Sequence, residues 1–152
     1  MIETNRLILT LATDAEMEQM IAVESDEDNK MAYCEILEGC RNHPEQREWY
    51  AVWLMKLKDS PDDSIGDLNF KGLSSDGIVE IGYGIKKEYE GNGYTTEAVI
   101  ALVRWAASMS VVNQIEAETD PNNIASQRVL SKAGFIPNGV IGKEGPRFVW
   151  KS

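Results

Sequence analysis

Apolar and polar positions change rhythm along the chain, and each change predicts an element. Arg6-Leu7-Ile8-Leu9-Thr10-Leu11 alternates loosely and predicts a strand. Thr13 or Asp14 then caps a helix through Glu24, with Met17, Met20 and Ile21 marking its faces. Residues 25–30 are a polar break, and residues 31–39 predict a shorter helix that Gly39 ends. The next stretch is ambiguous, since Glu45-Gln46-Arg47-Glu48 opens like a helix while Val52-Trp53-Leu54-Met55-Lys56-Leu57 suits either type. Turn chemistry at Asp59-Ser60-Pro61-Asp62-Asp63 and alternation over residues 65–70 argue for a hairpin, so residues 50–58 read as strand.

Ser74-Ser75-Asp76-Gly77 predicts the next turn, leading to a strand over residues 78–85 whose Gly82 and Gly84 invite a bulge or close backbone approach. Beyond it the period shifts. Glu90-Gly91-Asn92-Gly93-Tyr94-Thr95 is a glycine-bearing loop, and a helix over residues 96–109 follows with Ala98, Val99, Leu102, Val103, Trp105 and Ala106 on its buried side. Residues 114–119 alternate as a strand, Asp120-Pro121-Asn122 turns the chain, and Asn123 opens a helix through Lys132 that Gly134 closes. Residues 135–150 hold the remaining strand material. No repeat or linker-like tract divides residues 1–152, which read as one α+β domain with a mostly antiparallel sheet.

Composition narrows the function classes. A chain of 152 residues with 43% hydrophobic positions suits one core and argues against a separate cofactor domain. Fifteen Lys and Arg against 25 Asp and Glu give a net charge of −10, which repels phosphate backbones and anionic lipid and suits a cationic partner such as an amine. Neither nucleic acid nor membrane is expected as a partner. No apolar stretch approaches the roughly 20 residues of a membrane span, and MIETNRLILTLATD lacks the pattern of a secretory signal. The expected location is cytoplasmic, with Cys34 and Cys40 as reduced thiols. Cys34 reads as a buried, inert thiol, with a place on a cleft wall as the alternative.

One histidine and two cysteines argue against a structural zinc, and no metal is expected. His43 reads as a loop residue beside Pro44, with no serine-elbow motif for a hydrolytic triad. Trp49, Trp53 and Trp105 read as core or cleft wall.

A strand that enters a glycine-rich turn and then a helix N-terminus forms a physical anion site. The first helical N–H groups lack intrahelical partners, and the helix dipole adds positive charge there. Gly91 and Gly93 permit unusual torsions and remove side chains that block a phosphate. The pair alone fits a plain tight turn equally well. It is neither a phosphate loop ending in Gly-Lys-Ser/Thr nor the three-glycine dinucleotide fingerprint, whose third glycine this loop lacks.

The flanking segments decide between these readings. Glu80-Ile81-Gly82-Tyr83-Gly84-Ile85, the stretch from Glu90 to Ala98, Asn123-Ile124-Ala125-Ser126, and Val129 through Phe135 together resemble the GNAT superfamily of N-acetyltransferases. Glu3-Thr4-Asn5-Arg6-Leu7-Ile8-Leu9 looks like the opening of its Rim-type branch, which includes ribosomal-protein N-terminal acetyltransferases. The resemblance covers nearly the whole chain in order. It implies a mixed sheet splayed in the middle and flanked by helices, with acetyl-coenzyme A between two parallel strands as cosubstrate. The cofactor would touch Tyr83, Ile85, Glu90, Gly91, Asn92, Gly93, Tyr94, Thr95, Asn123, Ser126 and Lys132. A bulge near Gly82–Gly84 would free amides for the pantetheine. The family's Gln or Arg ahead of the loop is Glu88 here, a departure that Lys86, Lys87 and Lys132 are placed to offset.

Acetyl transfer to an amine needs a proton acceptor for the nucleophile and a donor for the thiolate. Glu80, on the face of Gly82 and Gly84, is the first candidate base, and Glu118 is the second; a solvated strand glutamate is the alternative for each. Asn123 matches the family's coenzyme-contacting amide, with a plain helix cap as the alternative. The tyrosine that serves many relatives as general acid is Leu130 here, which leaves Ser126 or water, with Tyr83 and Tyr94 more remote. The expected acceptor is a primary amine of a small molecule or protein N-terminus, and the protein is expected as monomer or homodimer. A non-catalytic coenzyme A-binding module and a regulatory domain for another phosphate are the competing functions.

Overall fold

In the computed structural model, which describes residues 1–150, the N-terminal alternation forms a hairpin of β1 (Ile2–Glu3) and β2 (Leu7–Leu11). Helix α1 (Asp14–Val23) opens on a reciprocal cap. The Thr13 hydroxyl accepts the Glu16 N–H at 3.1 Å, and the Glu16 carboxylate accepts the Thr13 N–H at 3.0 Å. Helix α2 (Glu27–Asn42) is longer at both ends than the pattern predicts. Asp26 caps it by accepting the Asn29 N–H, so the acidic residues read as a break form a first turn that the helix dipole favours. Gly39 lies inside the helix, and His43 takes the C-terminal position with its ring stacked on Tyr50 at 3.9 Å.

A 3₁₀ turn (Pro44–Gln46) and the short α3 (Arg47–Tyr50) precede β3 (Val52–Leu57) and β4 (Ser60–Leu73). The hairpin turn is therefore Lys58-Asp59, and Ser60 to Asp63 continue the strand through a slipped register. Then come β5 (Ile78–Ile85), α4 (Tyr94–Ala107), β6 (Gln114–Glu118), α5 (Ile124–Ala133), β7 (Phe135–Ile141) and β8 (Pro146–Trp150). Helix α4 starts two residues earlier than the alternation predicts, which brings Tyr94 and Thr95 into its first turn.

Among the described residues the strands form one sheet in the order β1-β2-β3-β4-β5-β6-β8-β7. Every neighbouring pair is antiparallel except β5 with β6. That parallel pair is registered for only three residues, Ile78 with Gln114, Val79 with Ile115 and Glu80 with Glu116, after which the strands part. Helix α4 returns the chain between two parallel strands and so runs opposite to both. Strand β7 is also parallel to β6, since each is antiparallel to β8, so α5 runs the same way as α4. Both helix N-termini therefore face the end where the sheet opens. The α+β fold with a centrally splayed, mostly antiparallel sheet is the expected one.

The bulge falls elsewhere. Gly82 and Gly84 pair regularly with Asn69 and Asp67, whereas the register slips between Phe70 and Leu73. Lys71 and Gly72 together oppose Glu80, with Gly72 at φ +86°, a torsion that favours glycine.

One sheet face packs Leu7, Leu9, Met55, Leu68, Phe70, Val79 and Ile81 against Val99, Leu102 and Val103 of α4 and Leu130 of α5. Each of these large side chains contributes roughly 1.5–3 kcal/mol by leaving water. Trp49 and Trp53 are buried within this core and Trp105 packs against both at a tilt, its ring centroid 5.0 and 5.1 Å from theirs. On the other face, Ala12, Met17, Leu37, Cys40, Val52 and Leu54 seat α1 and α2. Cys34 is exposed on α2, contrary to the buried thiol expected, while Cys40 is buried. No helix among the described residues is long and apolar enough to cross a membrane.

Candidate active site

The glycine loop takes the shape its sequence suggests. Gly91 and Gly93 hold φ of +79° and +80°, and Gly93 is the N-terminal cap residue of α4. Among the described residues no side chain caps this end. Among the described residues, the N–H groups of residues 91–96 donate to no protein acceptor, which leaves a row of amides at a helix N-terminus. A Cβ on Gly91 would meet nothing within 4 Å, so the loop's outer side is open. The Asn92 side chain folds back, its Nδ2 donating to the Tyr89 and Glu90 carbonyls at 3.2 Å each, and so shapes the loop. Glu88, Glu90, Lys86 and Lys87 are exposed around it.

Arg6 reaches this loop from the start of β2. Its Nη1 donates to the Asn92 carbonyl at 3.0 Å, its Nε donates to Glu97 at 2.8 Å, and its guanidinium lies 4.4 Å from the centre of the Tyr94 ring. The Glu97 carboxylate also accepts from the Arg6 N–H and the Thr4 hydroxyl. Burial works to raise the Glu97 pKa, but these donors outweigh it and hold the carboxyl below its usual range. Sequence reasoning placed lysines at this loop and missed Arg6, since nothing local signals a contact 91 residues away.

The second wall is the N-terminus of α5. Asn123 caps the helix, its Oδ1 accepting the Ser126 N–H at 3.0 Å. The Ser126 hydroxyl lies 2.8 Å from the Tyr83 hydroxyl, which crosses to it from β5. Burial raises the Tyr83 pKa, so the phenol stays protonated. Leu130 is fully buried in the core and presents nothing to the cleft. Lys132 stands in the last turn of α5, about 13 Å along the axis from Asn123. Ile85 ends β5 on the approach to the loop.

The two candidate bases belong to one ion-pair network. Arg147 on β8 donates to Glu80, Glu116 and Glu118 at 2.8, 2.8 and 2.7 Å. The β4 bulge aims Lys71 at Glu80, with Nζ 2.7 Å from its second oxygen. Burial raises the Glu80 pKa, yet the hydrogen bonds from Lys71 and Arg147 win and leave it lowered. Glu118 is lowered by the Glu144 N–H and by Arg147, against burial. The Glu118 carboxylate fills the space beside Gly142, where a Cβ would lie 1.6 Å from its oxygen. Both oxygens of each candidate are thus already engaged. The E-x-E spacing of Glu116 and Glu118, two like charges on one strand face, was the sequence signal that a cation had to lie opposite.

Comparison with known proteins bears on the family and the fold. Residues 6–136 match the family described as acetyltransferase (GNAT) domain. The uncharacterized N-acetyltransferase YjdG of Bacillus subtilis is 36% identical over 87 residues, which span 57% of this chain and 51% of that protein, about half its length. The uncharacterized N-acetyltransferase YoaA of the same organism is 29% identical over 151 residues, covering 92% of this chain and 85% of YoaA. A putative ribosomal-protein-serine acetyltransferase from Vibrio cholerae shares the fold at TM-score 0.70 and 22% identity, over 99% of this chain and 97% of that one. AAC(6')-Ib, solved with paromomycin and acetyl-coenzyme A, shares it at TM-score 0.69 and 18% identity, over 97% and 94%.

Proposed function

The chain belongs to the acetyltransferase (GNAT) domain family, and on that premise we propose that it transfers an acetyl group from acetyl-coenzyme A to a primary amine. The observation that carries this reading is the row of unpartnered amides on residues 91–96, at the end where β5 and β6 part. Amides aimed outward from a helix N-terminus suit a pyrophosphate, and Arg6 adds a cation in direct contact with the loop. The open edge of β5 suits an extended pantetheine, and the acetyl-coenzyme A complex of a protein with this fold supports the same cosubstrate. Acetyl-coenzyme A supplies an activated thioester, so the protein's tasks are to place the amine and to manage two protons.

In this reading the amine nitrogen forms a bond to the acetyl carbon, the carbon–sulfur bond breaks, and the sulfur needs a proton. The Tyr83 hydroxyl lies 2.8 Å from Ser126 Oγ and 3.2 Å from the Ser126 carbonyl oxygen; with Tyr83 as donor to Oγ, the Ser126 proton is free for the sulfur. Glu80, neutralised by two cations, is too weak a base to retain the amine's proton. Its role is to orient the nitrogen or a water, and the proton passes to solvent. Glu118 serves Arg147 and the Glu144 amide. Asn123 combines its cap with a place beside the coenzyme.

The replacement of the family's tyrosine by Leu130 and the engagement of both glutamates favour one second reading, a coenzyme A-binding module without catalysis. Melting with acetyl-coenzyme A, followed by thioester turnover against a panel of amines between pH 6 and 9, tests both. A melting shift with turnover that rises with pH supports transfer. A shift with no turnover on any amine supports the module, and no shift overturns both.

A further inference from the structure

The sheet face turned away from α4 and α5 carries a carboxylate that acetyl transfer, as described, does not use. Asp67 on β4 stands opposite Gly84 of β5, on the face that also holds Glu80 and Gly82. Its Oδ2 accepts a 2.8 Å hydrogen bond from the Tyr33 hydroxyl of α2. Among the described residues no donor reaches Oδ1 and no fully buried side-chain oxygen lacks a partner, so Oδ1 is open to solvent. On the same face Gly84, the cross-strand partner of Asp67, is open, since an added Cβ there would meet nothing within 4 Å. Over Gly82, by contrast, Asn69 Oδ1 already stands 3.2 Å from the Cβ position.

Acidic side chains outnumber basic ones on this face. Asp67, Glu24, Glu80, Glu116 and Glu118 are answered by Lys71 and Arg147, and both of those cations are committed to the Glu80 cluster. Burial raises the Asp67 pKa despite the Tyr33 hydrogen bond, and Glu24 adds repulsion, so the site gains by receiving a positive group. Gly84 lies two strand residues from Gly82 and four from Glu80, about 7 and 13 Å.

We propose that Asp67, positioned by Tyr33, is a subsite for a second cationic group of the acceptor, which makes the preferred acceptors dications rather than simple monoamines. The subsite rests on the transfer reading for its purpose but not for its binding. An acceptor whose two nitrogens are separated by about 7–13 Å then spans from the parting of the strands to Asp67.

The test compares α,ω-diamines of three to eight carbons with n-alkylamines of equal length. Calorimetric binding is measured without coenzyme, and kcat and KM with acetyl-coenzyme A, for the unaltered chain, Asp67→Asn and Tyr33→Phe. Diamines are expected to bind about 10- to 100-fold tighter than matched monoamines, with the difference in KM rather than kcat. Asp67→Asn should bring the diamine-to-monoamine ratio to about one, and Tyr33→Phe should lower it partway, with melting curves confirming that each variant is folded. Acetylation without diamine preference, or a preference that survives Asp67→Asn, overturns the subsite and leaves acetyl transfer standing. Diamine binding that Asp67→Asn abolishes, with no amine acetylated, keeps the subsite and overturns transfer.

Discussion

Arg6 Nε lies 2.8 Å from the Glu97 carboxylate, an ion pair that joins the start of β2 to the first turn of α4. The same guanidinium holds the Asn92 carbonyl, so the loop's carbonyl is turned toward Arg6 while its amides turn outward. Nearby polar groups thus set the direction in which the loop offers its hydrogen bonds.

Coenzyme binding should depend on that orientation. Acetyl-coenzyme A at 100 times its dissociation constant should stabilise the chain by about 2.7 kcal/mol, visible as a melting shift. Arg6→Ala should weaken binding through the lost charge, by about tenfold. Gly93→Ala strains a residue held at φ +80° and should remove most of the shift while the protein still melts cooperatively. An undiminished shift in both variants counts against the loop as the phosphate site.

Acid should destabilise the fold in a defined window. Glu80, Glu97 and Glu118 all have lowered folded-state pKa values. Their contribution is complete above the unfolded value, near 4.3, and is lost as pH falls through the folded values. Urea unfolding from pH 7 to pH 3 should show stability dropping below about pH 4.5. Glu97→Gln should be less stable at pH 7 and show a shallower decline.

Arg147 answers three carboxylates at once and is about one fifth exposed. Arg147→Ala leaves them facing one another, and after allowance for solvent the cost should be about 2–3 kcal/mol in chemical unfolding. A further Glu116→Gln change should recover part of it, since it removes one of the repelling charges. Simple additivity of the two changes would show that the charges do not act as a cluster.

The Tyr83–Ser126 pair should act on turnover. Ser126→Ala is expected to lower kcat about tenfold, at the low end of what proton donation contributes, with little change in coenzyme affinity. Tyr83→Phe should lower kcat by less, since Ser126 keeps its proton. A change confined to the Michaelis constant for the coenzyme would make Ser126 a binding residue and assign the proton to water.

Asp67 gives a prediction of opposite sign. Its pKa is raised, so the folded state holds this proton more tightly and its ionisation costs stability as pH rises. Asp67→Asn keeps an acceptor for Tyr33 and should raise the melting midpoint at pH 7, with a smaller gain at pH 4. A lowered midpoint at pH 7 would mean that the charge is needed to hold α2 in place.

Elements with a strong period were legible in the sequence. Thr13 and Glu16, the alternation of residues 78–85 and the Asn123 to Gly134 helix all emerge where local chemistry puts them. The failures were at residues whose role depends on a partner elsewhere. Gly39 reads as a terminator, yet Leu37 and Cys40 on either side are buried, and that packing carries α2 through it. The glycines of β5 read as a bulge, yet the irregularity lies on the facing strand at Gly72, whose sequence shows no pairing. In the site, loop and cap were visible, because backbone geometry needs glycine and asparagine in those places. Arg6, Arg147 and Tyr33 were not, because each acts on a residue between 29 and 91 positions away.

The three-residue contact between β5 and β6 divides the sheet into a half of five strands and a half of three, with an unpaired edge inside the molecule. Exposed edges of this kind ordinarily recruit strands from other chains and seed aggregation. Here α4 and α5 roof the edge on one side, while the network around Arg147 bolts the two halves together where they part. The gap is thus an edge covered on one face and tied across on the other, which limits its pairing with strands of other chains.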